Sequence, residues 1–303
     1  MYPETLDLVE NHIRQIWSLQ CAARIPDAEQ GVRHLTHLFA SSSELFPLPA
    51  RIEQRFQLLS AQVERLSAVT ALEKKQYDVA RVTYEHMVGQ VKHLDNPAAL
   101  AIALMEWGKE LERKGEKQTA VALLEEARDV SLSASKRVIA FVHSYLARVY
   151  ASQGDALHFE RAISTGLTVA STLSEQHEDK DFVYSWSPLS AILAEQSWGY
   201  LNIRQPHKTL QMKAEIEQAI EQGQDTRLHT WIPLDWAHAY LQLGEPEESI
   251  KAAREFYGRA KAMQSPHALS KAQTYVEEVE WAGYSKMQAV KDFREEFFRE
   301  EQC

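Results

Sequence analysis

Two histidines spaced three residues apart are the first candidates for chemistry in this sequence. His34 and His37 lie on a predicted helix and could offer two metal ligands from one face. A zinc site takes three or four ligands, and neither a cysteine nor a carboxylate stands beside the pair to complete the set. We therefore expect surface or interhelix histidines and no metal site.

Nucleophilic and nucleotide chemistry find equally little support. Cys21 has no histidine near it in the sequence, and Cys303 is the last residue. The sequence contains no Gly-rich phosphate loop followed by Lys and Ser or Thr, no Gly-x-Ser-x-Gly elbow and no His-Glu-x-x-His helix. We expect a protein without catalytic residues and without a cofactor. An enzyme built into a helical groove is the least favoured alternative.

Composition and charge favour a helical protein with an acidic surface. Of 303 residues, 45% are hydrophobic and 25% are charged, and only 11 Gly and 10 Pro supply the turns that an all-β fold would need. A net charge of -10 argues against binding along a nucleic-acid backbone. No apolar run approaches the ~20 residues of a membrane-spanning helix, and the N-terminus does not read as a signal peptide. We expect a cytoplasmic protein that binds neither nucleic acid nor a membrane.

The elements that would position a site are helical hairpins that recur along the chain. Each hairpin has a small residue, a Leu or Tyr three positions later, and a turn four positions after that. The small residues are Gly108, Ala147, Ser197 and Ala237, and the larger ones are Leu111, Tyr150, Tyr200 and Tyr240. The predicted turns are Gln76, Gly115, Gly154, Arg204, Gly244 and Gly283, at intervals of 39, 39, 50, 40 and 39 residues. Because one hairpin cannot bury its own apolar face, neighbouring hairpins must stack.

Trp236, Ala237, Tyr240, Gly244 and Pro246 resemble the first helix and turn of the tetratricopeptide repeat (TPR). These units exceed the usual length of about 34 residues by about one helical turn. In this they are similar to the sensor regions of bacterial maltose-regulator-type and helix-turn-helix transcriptional regulators. The resemblance implies an all-α, right-handed superhelical solenoid of stacked antiparallel helix pairs with a period of about 39 residues.

Two segments depart from the repeat. Residues 1–59 carry helical periodicity without a complete unit, so we expect an N-terminal helical cap there and the repeat array over 60–303. A DNA-reading helix-turn-helix in this cap is the alternative, although its low basic charge disfavours it. The interval of 50 residues implies an insertion near 171–188, either a solvated loop or a flap over the groove.

The resemblance also implies where a ligand would bind, since the first helix of each TPR unit lines a concave groove. Counted back from the turns, the inward positions are Lys109, Arg113, Phe141, Arg148, Trp198, Asn202, Trp231 and His238. The cations would bind a carboxylate and the aromatic rings would bury an apolar side chain. The alternative is that Lys109 and Arg148 pair with neighbouring glutamates and that the tryptophans pack between units.

These patterns predict a non-catalytic scaffold that binds a peptide or protein partner in its concave groove. The alternative is the sensing domain of a bacterial regulator, whose effector would be a small molecule or a signal peptide. A stack held by nearest-neighbour contacts could change its superhelical pitch when such an effector binds.

Overall fold

The computed structural model describes residues 2–42, 49–173, 188–223 and 225–300, and nearly all of these residues lie in helices. The helices are α1 (Tyr2–Cys21), α2 (Ile25–Ser42), α3 (Ala50–Glu73), α4 (Tyr77–Val91), α5 (Pro97–Lys114), α6 (Lys117–Ser131), α7 (Lys136–Ser152), α8 (Ala156–Ala170), α9 (Pro188–Asn202), α10 (Pro206–Gln211), α11 (Lys213–Gly223), α12 (Thr226–Leu243), α13 (Pro246–Met263), α14 (Pro266–Val279) and α15 (Gln288–Glu300), with a π-helical turn at Glu280–Tyr284 between the last two. No strand occurs within these ranges, and none of their helices combines the length and the apolar character needed to cross a bilayer.

The predicted turns are places where the backbone takes the left-handed conformation. The angle φ is +89° at Gly115, +79° at Gly154, +61° at Arg204, +77° at Gly244 and +99° at Gly283. At the α5–α6 turn, the amide of Gly115 donates to the carbonyl of Glu112 (2.9 Å) and the next amide donates to Leu111 (2.8 Å). The turns after α7, α9 and α12 repeat this pair of bonds, which satisfies the last carbonyls of the helix and reverses the chain.

The first predicted turn is displaced by one residue. The left-handed residue is Lys75, with φ of +62°, and not Gln76. The same geometry recurs between α1 and α2, where φ of Ala23 is +58° and the amide of Arg24 donates to Leu19. The N-terminal segment is therefore itself a helical hairpin, and it packs on α3 around the buried side chain of Trp17.

The boundary expected at residue 59 falls inside α3, which runs without a break from Ala50 to Glu73 and pairs with α4. Residue 59 therefore does not separate two elements. Most of the insertion expected near 171–188 lies outside the described residues, between the end of α8 and the start of α9.

Small residues lie where paired helices approach most closely. A Cβ atom on Gly108 of α5 would lie 2.9 Å from Cγ of Leu124 on α6. Ala147, Ser197 and Ala237, the equivalent residues of later pairs, are fully buried. A larger side chain at these positions would separate the paired helices.

The first helices of successive pairs form the inner row of the superhelix. Helices α5, α7, α9, α12 and α14 pack on one another in this order, and α6, α8 and α13 pack behind them. The inner helices α5 and α7 are buried over much more of their length than α6 and α8 are. Side chains that face away from the outer helices therefore meet those of the neighbouring inner helices.

The two ends of the array meet. Helix α14 contacts α3, and α12 contacts α1. Arg227 donates from Nη2 to Oε1 of Glu73 (2.5 Å), and the hydroxyl of Ser265 donates to the other oxygen of the same carboxylate. The Tyr77 hydroxyl lies 3.2 Å from Nδ1 of His267. We call this junction the seam, and it closes the superhelix on itself.

Candidate functional site

Lys109 belongs to a buried charge cluster that joins α3, α5 and α7. Its Nζ atom lies 3.0 Å from Oε2 of Glu106 and 4.0 Å from the ring centre of Tyr145. Arg65 donates to Oε1 of the same glutamate from Nε (2.9 Å) and Nη2 (2.7 Å). The Glu106 side chain is 3% exposed and that of Lys109 is 16% exposed. Burial raises the pKa of Glu106, but Lys109 and Arg65 outweigh it and lower the pKa to about 2.

Arg148 on α7 connects the inner helices on either side of it. Its Nε atom donates to Oε2 of Glu112 on α5 (3.3 Å), and Nη1 donates to Oε2 of Glu195 on α9 (2.9 Å). The guanidinium group also lies 3.9 Å from the ring centre of Trp198. Burial lowers the pKa of Arg148, but Glu195 and Glu112 outweigh it and raise it. Arg148 keeps 26% of its side chain exposed, so a ligand could reach it.

Asp235 on α12 extends this network by one helix. Burial raises the pKa of its carboxyl group to about 7, and the negative charge of Glu195 adds to the rise, while Arg148 opposes it. The inner face therefore holds a carboxyl group that is partly protonated near neutral pH.

His238 and Trp231 lie where α12 packs against α14. Nδ1 of His238 is 3.5 Å from Oε2 of Glu278, and its ring meets that of Tyr275 edge to face at 4.7 Å. Burial, with the charge of Lys271, lowers the pKa of His238 to about 4, so the ring is neutral at pH 7. The Trp231 ring lies 5.3 Å from Phe256 on α13.

The structure corrects the placement of Phe141. Its side chain is 1% exposed and lies in the apolar core, away from the groove surface. Phe141 and Trp231 hold the same position relative to their turns, and Trp231 packs on the outer helix α13. A large ring at this position gains more from burial than from exposure in the groove.

The remaining two predicted residues lie near the ends of inner helices. Arg113 pairs with Glu110 one turn earlier on α5. The side-chain amide of Asn202 donates to the carbonyl of Trp198 (2.9 Å) and is otherwise exposed.

The expected basic patch is a set of ion pairs, in which Lys109, Arg113 and Arg148 each contact at least one carboxylate. The alternative interpretation of these cations, as partners of neighbouring glutamates, matches the geometry.

An inward column that sequence reasoning missed provides two of those four carboxylate partners, Glu106 and Glu195. It lies nine positions before each left-handed residue and consists of Glu106, Tyr145, Glu195 and Asp235. Each member precedes a predicted groove residue by three positions and so shares its helix face. This spacing could have revealed the column in the sequence. An acidic or hydroxyl side chain stands three residues before each of four predicted groove residues, Lys109, Arg148, Trp198 and His238.

Among the described residues considered for metal binding and nucleophilic chemistry, none completes a site, and Cys303 lies outside the described residues. His34 and His37 are exposed on α2, and Cys21 is buried at the end of α1. Within the described ranges, no group of three His, Cys, Asp or Glu side chains is arranged to hold a metal ion.

No protein-family model and no curated protein matches this sequence. Solved structures do match its fold. A Rap protein complexed with competence and sporulation factor is 10% identical with a TM-score of 0.55, and the match covers 97% of this chain and 96% of that one. Aspartyl phosphate phosphatase F from Bacillus subtilis is 10% identical with a TM-score of 0.54, covering 94% of this chain and 82% of that one.

A third similar structure is a signal transduction ATPase with numerous domains and a tetratricopeptide repeat sensor, from Pyrococcus horikoshii. It is 15% identical with a TM-score of 0.51, and the match covers 88% of this chain and 41% of that one. Similarity at this level of identity concerns the fold. The chain is a TPR-like, all-α superhelical protein, which confirms the predicted fold class.

Proposed function

We propose that this chain is a non-catalytic scaffold that binds a peptide or protein partner along the inner face of its superhelix. The observation that carries the proposal is the pair of inward columns on α5, α7, α9 and α12. They place carboxylates, cations and aromatic rings side by side on consecutive helices: Glu106 and Lys109, Tyr145 and Arg148, Glu195 and Trp198, Asp235 and His238. The fold is compatible with this role, since the similar Rap protein is complexed with competence and sporulation factor.

The chemistry of these columns defines the partner. Arg148 has five N–H donors in a planar fork and uses Nε and Nη1 for Glu112 and Glu195. It can therefore bind a further carboxylate while it keeps its partner on α9. The half-buried Trp198 indole beside it offers apolar surface. An extended peptide with an acidic side chain next to an apolar one fits this arrangement.

Arg148→Gln is the variant that tests the proposal. Peptides would be selected from a random display library on the wild-type protein, and their affinities measured by fluorescence anisotropy. We expect Arg148→Gln to weaken the selected peptides about tenfold or more, because a hydrogen bond to a charged group contributes about 1.5–3 kcal/mol.

The matched control is Arg33→Gln, which changes an exposed arginine on α2 that pairs with Glu29 of its own helix. Circular dichroism would verify that both variants are folded. Equal affinities of the selected peptides for Arg148→Gln and the wild type would contradict the proposal. Lys109 is unsuitable as a test position, because its loss would leave the buried carboxylate of Glu106 with one partner fewer.

A sensing role is the second candidate function, and the seam is the observation that favours it. Within the described residues, the polar contacts of Glu73 with Arg227 and Ser265 join the two ends of the array. A ligand that bound the closed form more tightly than an open form would shift the equilibrium toward closure. Small-angle X-ray scattering with and without a selected peptide tests this role: a change in the radius of gyration supports it, and an unchanged value argues against it.

A further inference from the structure

A second concave site lies outside the inner columns, at the seam. A cleft of about 330 Å³ opens between α4, the C-terminal end of α5 and the N-terminal half of α14. Its size is at the lower end of the range for small-molecule sites. The lining residues are Tyr77, Asp78, Arg81, Glu110, Arg113, Lys114, His267 and Lys271.

Positive charge dominates this cleft. Four of the lining side chains are cationic and two are carboxylates. Arg113 pairs with Glu110, and Lys114 lies 3.0 Å from Glu116. In the part of the chain that the structure describes, Lys271 has neither an ion pair nor a hydrogen bond. Within the described residues, the cleft therefore contains a cation that no carboxylate contacts directly, and Glu278 and Glu112 act on it only through longer-range electrostatics.

Two further features of the cleft favour a ligand that supplies hydrogen-bond acceptors. The Nε atom of Arg81 is buried and has no hydrogen-bond partner within the described residues, and the nearest carboxylate contact of this arginine is 3.6 Å to Glu85. Burial lowers the pKa of Lys271 and the charge of Arg113 lowers it further, while the charge of Glu278 opposes this shift.

The ends of two helices add to this potential. α4 begins at Tyr77 and α14 begins at Pro266, and the contact of Tyr77 with His267 brings these two N-termini together at the cleft. The partial positive charge at such helix ends favours anions, although in α14 Pro266 has no N–H group and Ser265 Oγ already accepts from the amide of Ala268. Burial lowers the pKa of His267 to about 4, so the ring is neutral at pH 7 and can donate a hydrogen bond without adding charge.

We propose that this cleft binds the oxyanion group of a small ligand, a carboxylate or a phosphate, with Lys271 and Arg113 as its principal charged contacts. The ligand would contact residues from both ends of the array, since α4 and α5 lie at one end and α14 at the other. Its binding would stabilise the closed seam, because a ligand that binds only the folded, closed form shifts the equilibrium toward that form.

Isothermal titration calorimetry with inorganic phosphate and with citrate, at ionic strength held constant with NaCl, tests the site. We expect at least one of the two anions to bind the wild-type protein, and Lys271→Gln to weaken this binding about tenfold or more. The control is Lys251→Gln, which changes a lysine on α13 that is 79% exposed and lies far along the chain from the cleft residues of α4 and α5. Preference for phosphate or for citrate identifies which group the cleft accepts.

The absence of binding by either anion at millimolar concentration overturns the proposal, and so does equal binding by Lys271→Gln and the wild type. A thermal melt provides a second reading: phosphate or citrate should raise the melting temperature of the wild type and of Lys251→Gln, but not that of Lys271→Gln. Because Lys271 has no partner in the described structure, its replacement should leave the fold intact. Arg148→Gln should weaken the binding of the anion much less than Lys271→Gln does, because Arg148 acts on Lys271 only through electrostatics, and this difference separates the site from the inner columns.

Discussion

Glu73 and Arg227 form an ion pair of 2.5 Å between α3 and α12, although 154 positions separate them in the sequence. The carboxylate is 1% exposed and the arginine side chain 26%. Ser265 donates to the second oxygen of the carboxylate, so Glu73 joins the beginning of the array to two helices near its end. A single buried side chain thus holds three elements at the seam.

Glu73→Gln should weaken the closure. The substitution keeps the shape of the side chain but removes its charge, which leaves Arg227 without its carboxylate. We expect a loss of about 3 kcal/mol in the free energy of unfolding, at the low end for a broken buried ion pair because Arg227 is partly exposed. Urea denaturation would measure the loss, and small-angle scattering should record a larger radius of gyration.

Glu248→Gln is the matched control for that experiment, because it makes the same chemical change at an exposed pair with Lys251. It should cost less than about 1 kcal/mol. A Glu73→Gln protein as stable and as compact as the Glu248→Gln protein would show that the seam does not depend on this carboxylate.

Acid should destabilise the protein through Glu106. Its pKa is about 2 in the folded state, against about 4.5 when unfolded, so the unfolded chain binds its proton first as the pH falls. The stability due to this group is fully present above pH ~4.5 and is lost between about 4.5 and 2, by about 3 kcal/mol in total. Urea midpoints measured across this range should fall steeply for the wild type. Glu106→Gln, although less stable at pH 7, should show a shallower fall, and a slope equal to that of the wild type would contradict the assignment.

The contribution of Asp235 to stability should depend on pH in the opposite direction, and Asp235→Asn tests this. The folded-state pKa of Asp235 is raised to about 7, so the carboxyl group favours folding at low pH and opposes it once ionised. Its contribution is lost as the pH rises from about 4 through 7. We expect Asp235→Asn to be about 4 kcal/mol more stable than the wild type at pH 8 and close to it at pH 4. Melting temperatures at the two pH values check this, and an equal difference at both would disprove it.

Gly199→Ala should destabilise α9 by overpacking. A Cβ atom at Gly199 would lie 2.2 Å from Cε2 of Phe159 on α8, whose ring is fully buried and cannot move aside. The expected loss is about 1–3 kcal/mol. Gly89→Ala on α4 is the control: no atom lies within 4 Å of its Cβ position, so the better helix propensity of Ala should add about 0.5–1 kcal/mol. Chemical denaturation of both variants should therefore give changes of opposite sign.

The parts of the fold that depend on local geometry were predictable. Three turns could be predicted from their glycines, Gly115, Gly154 and Gly244, because the left-handed conformation favours glycine. The spacing of these glycines gave the repeat length. The turn at Lys75 was placed one residue late because no glycine marks it. In the hairpin at Ala23 the same conformation is again adopted by a residue that gives no signal in the sequence.

The sequence predicted where the candidate site residues lie better than it predicted which contacts they make. Counting from the turns located Arg148 and Trp198, and the structure stacks these two side chains 3.9 Å apart. The count did not reveal that Glu195 would pair with Arg148, because that contact depends on the rotation between α7 and α9. The contacts at the seam could not be predicted from the sequence for the same reason. Small rotations between successive helix pairs add up along the array, and their sum decides whether Glu73 meets Arg227.

The closed seam also restricts how such a chain can change in length. A linear solenoid can gain or lose a repeat at little cost, because each unit needs only its immediate neighbours. Here one additional helix pair would carry Arg227 and Ser265 past Glu73, and one fewer would leave them short of it. Repeat number is therefore a fixed property of this molecule, as blade number is in a β-propeller, and not a variable one.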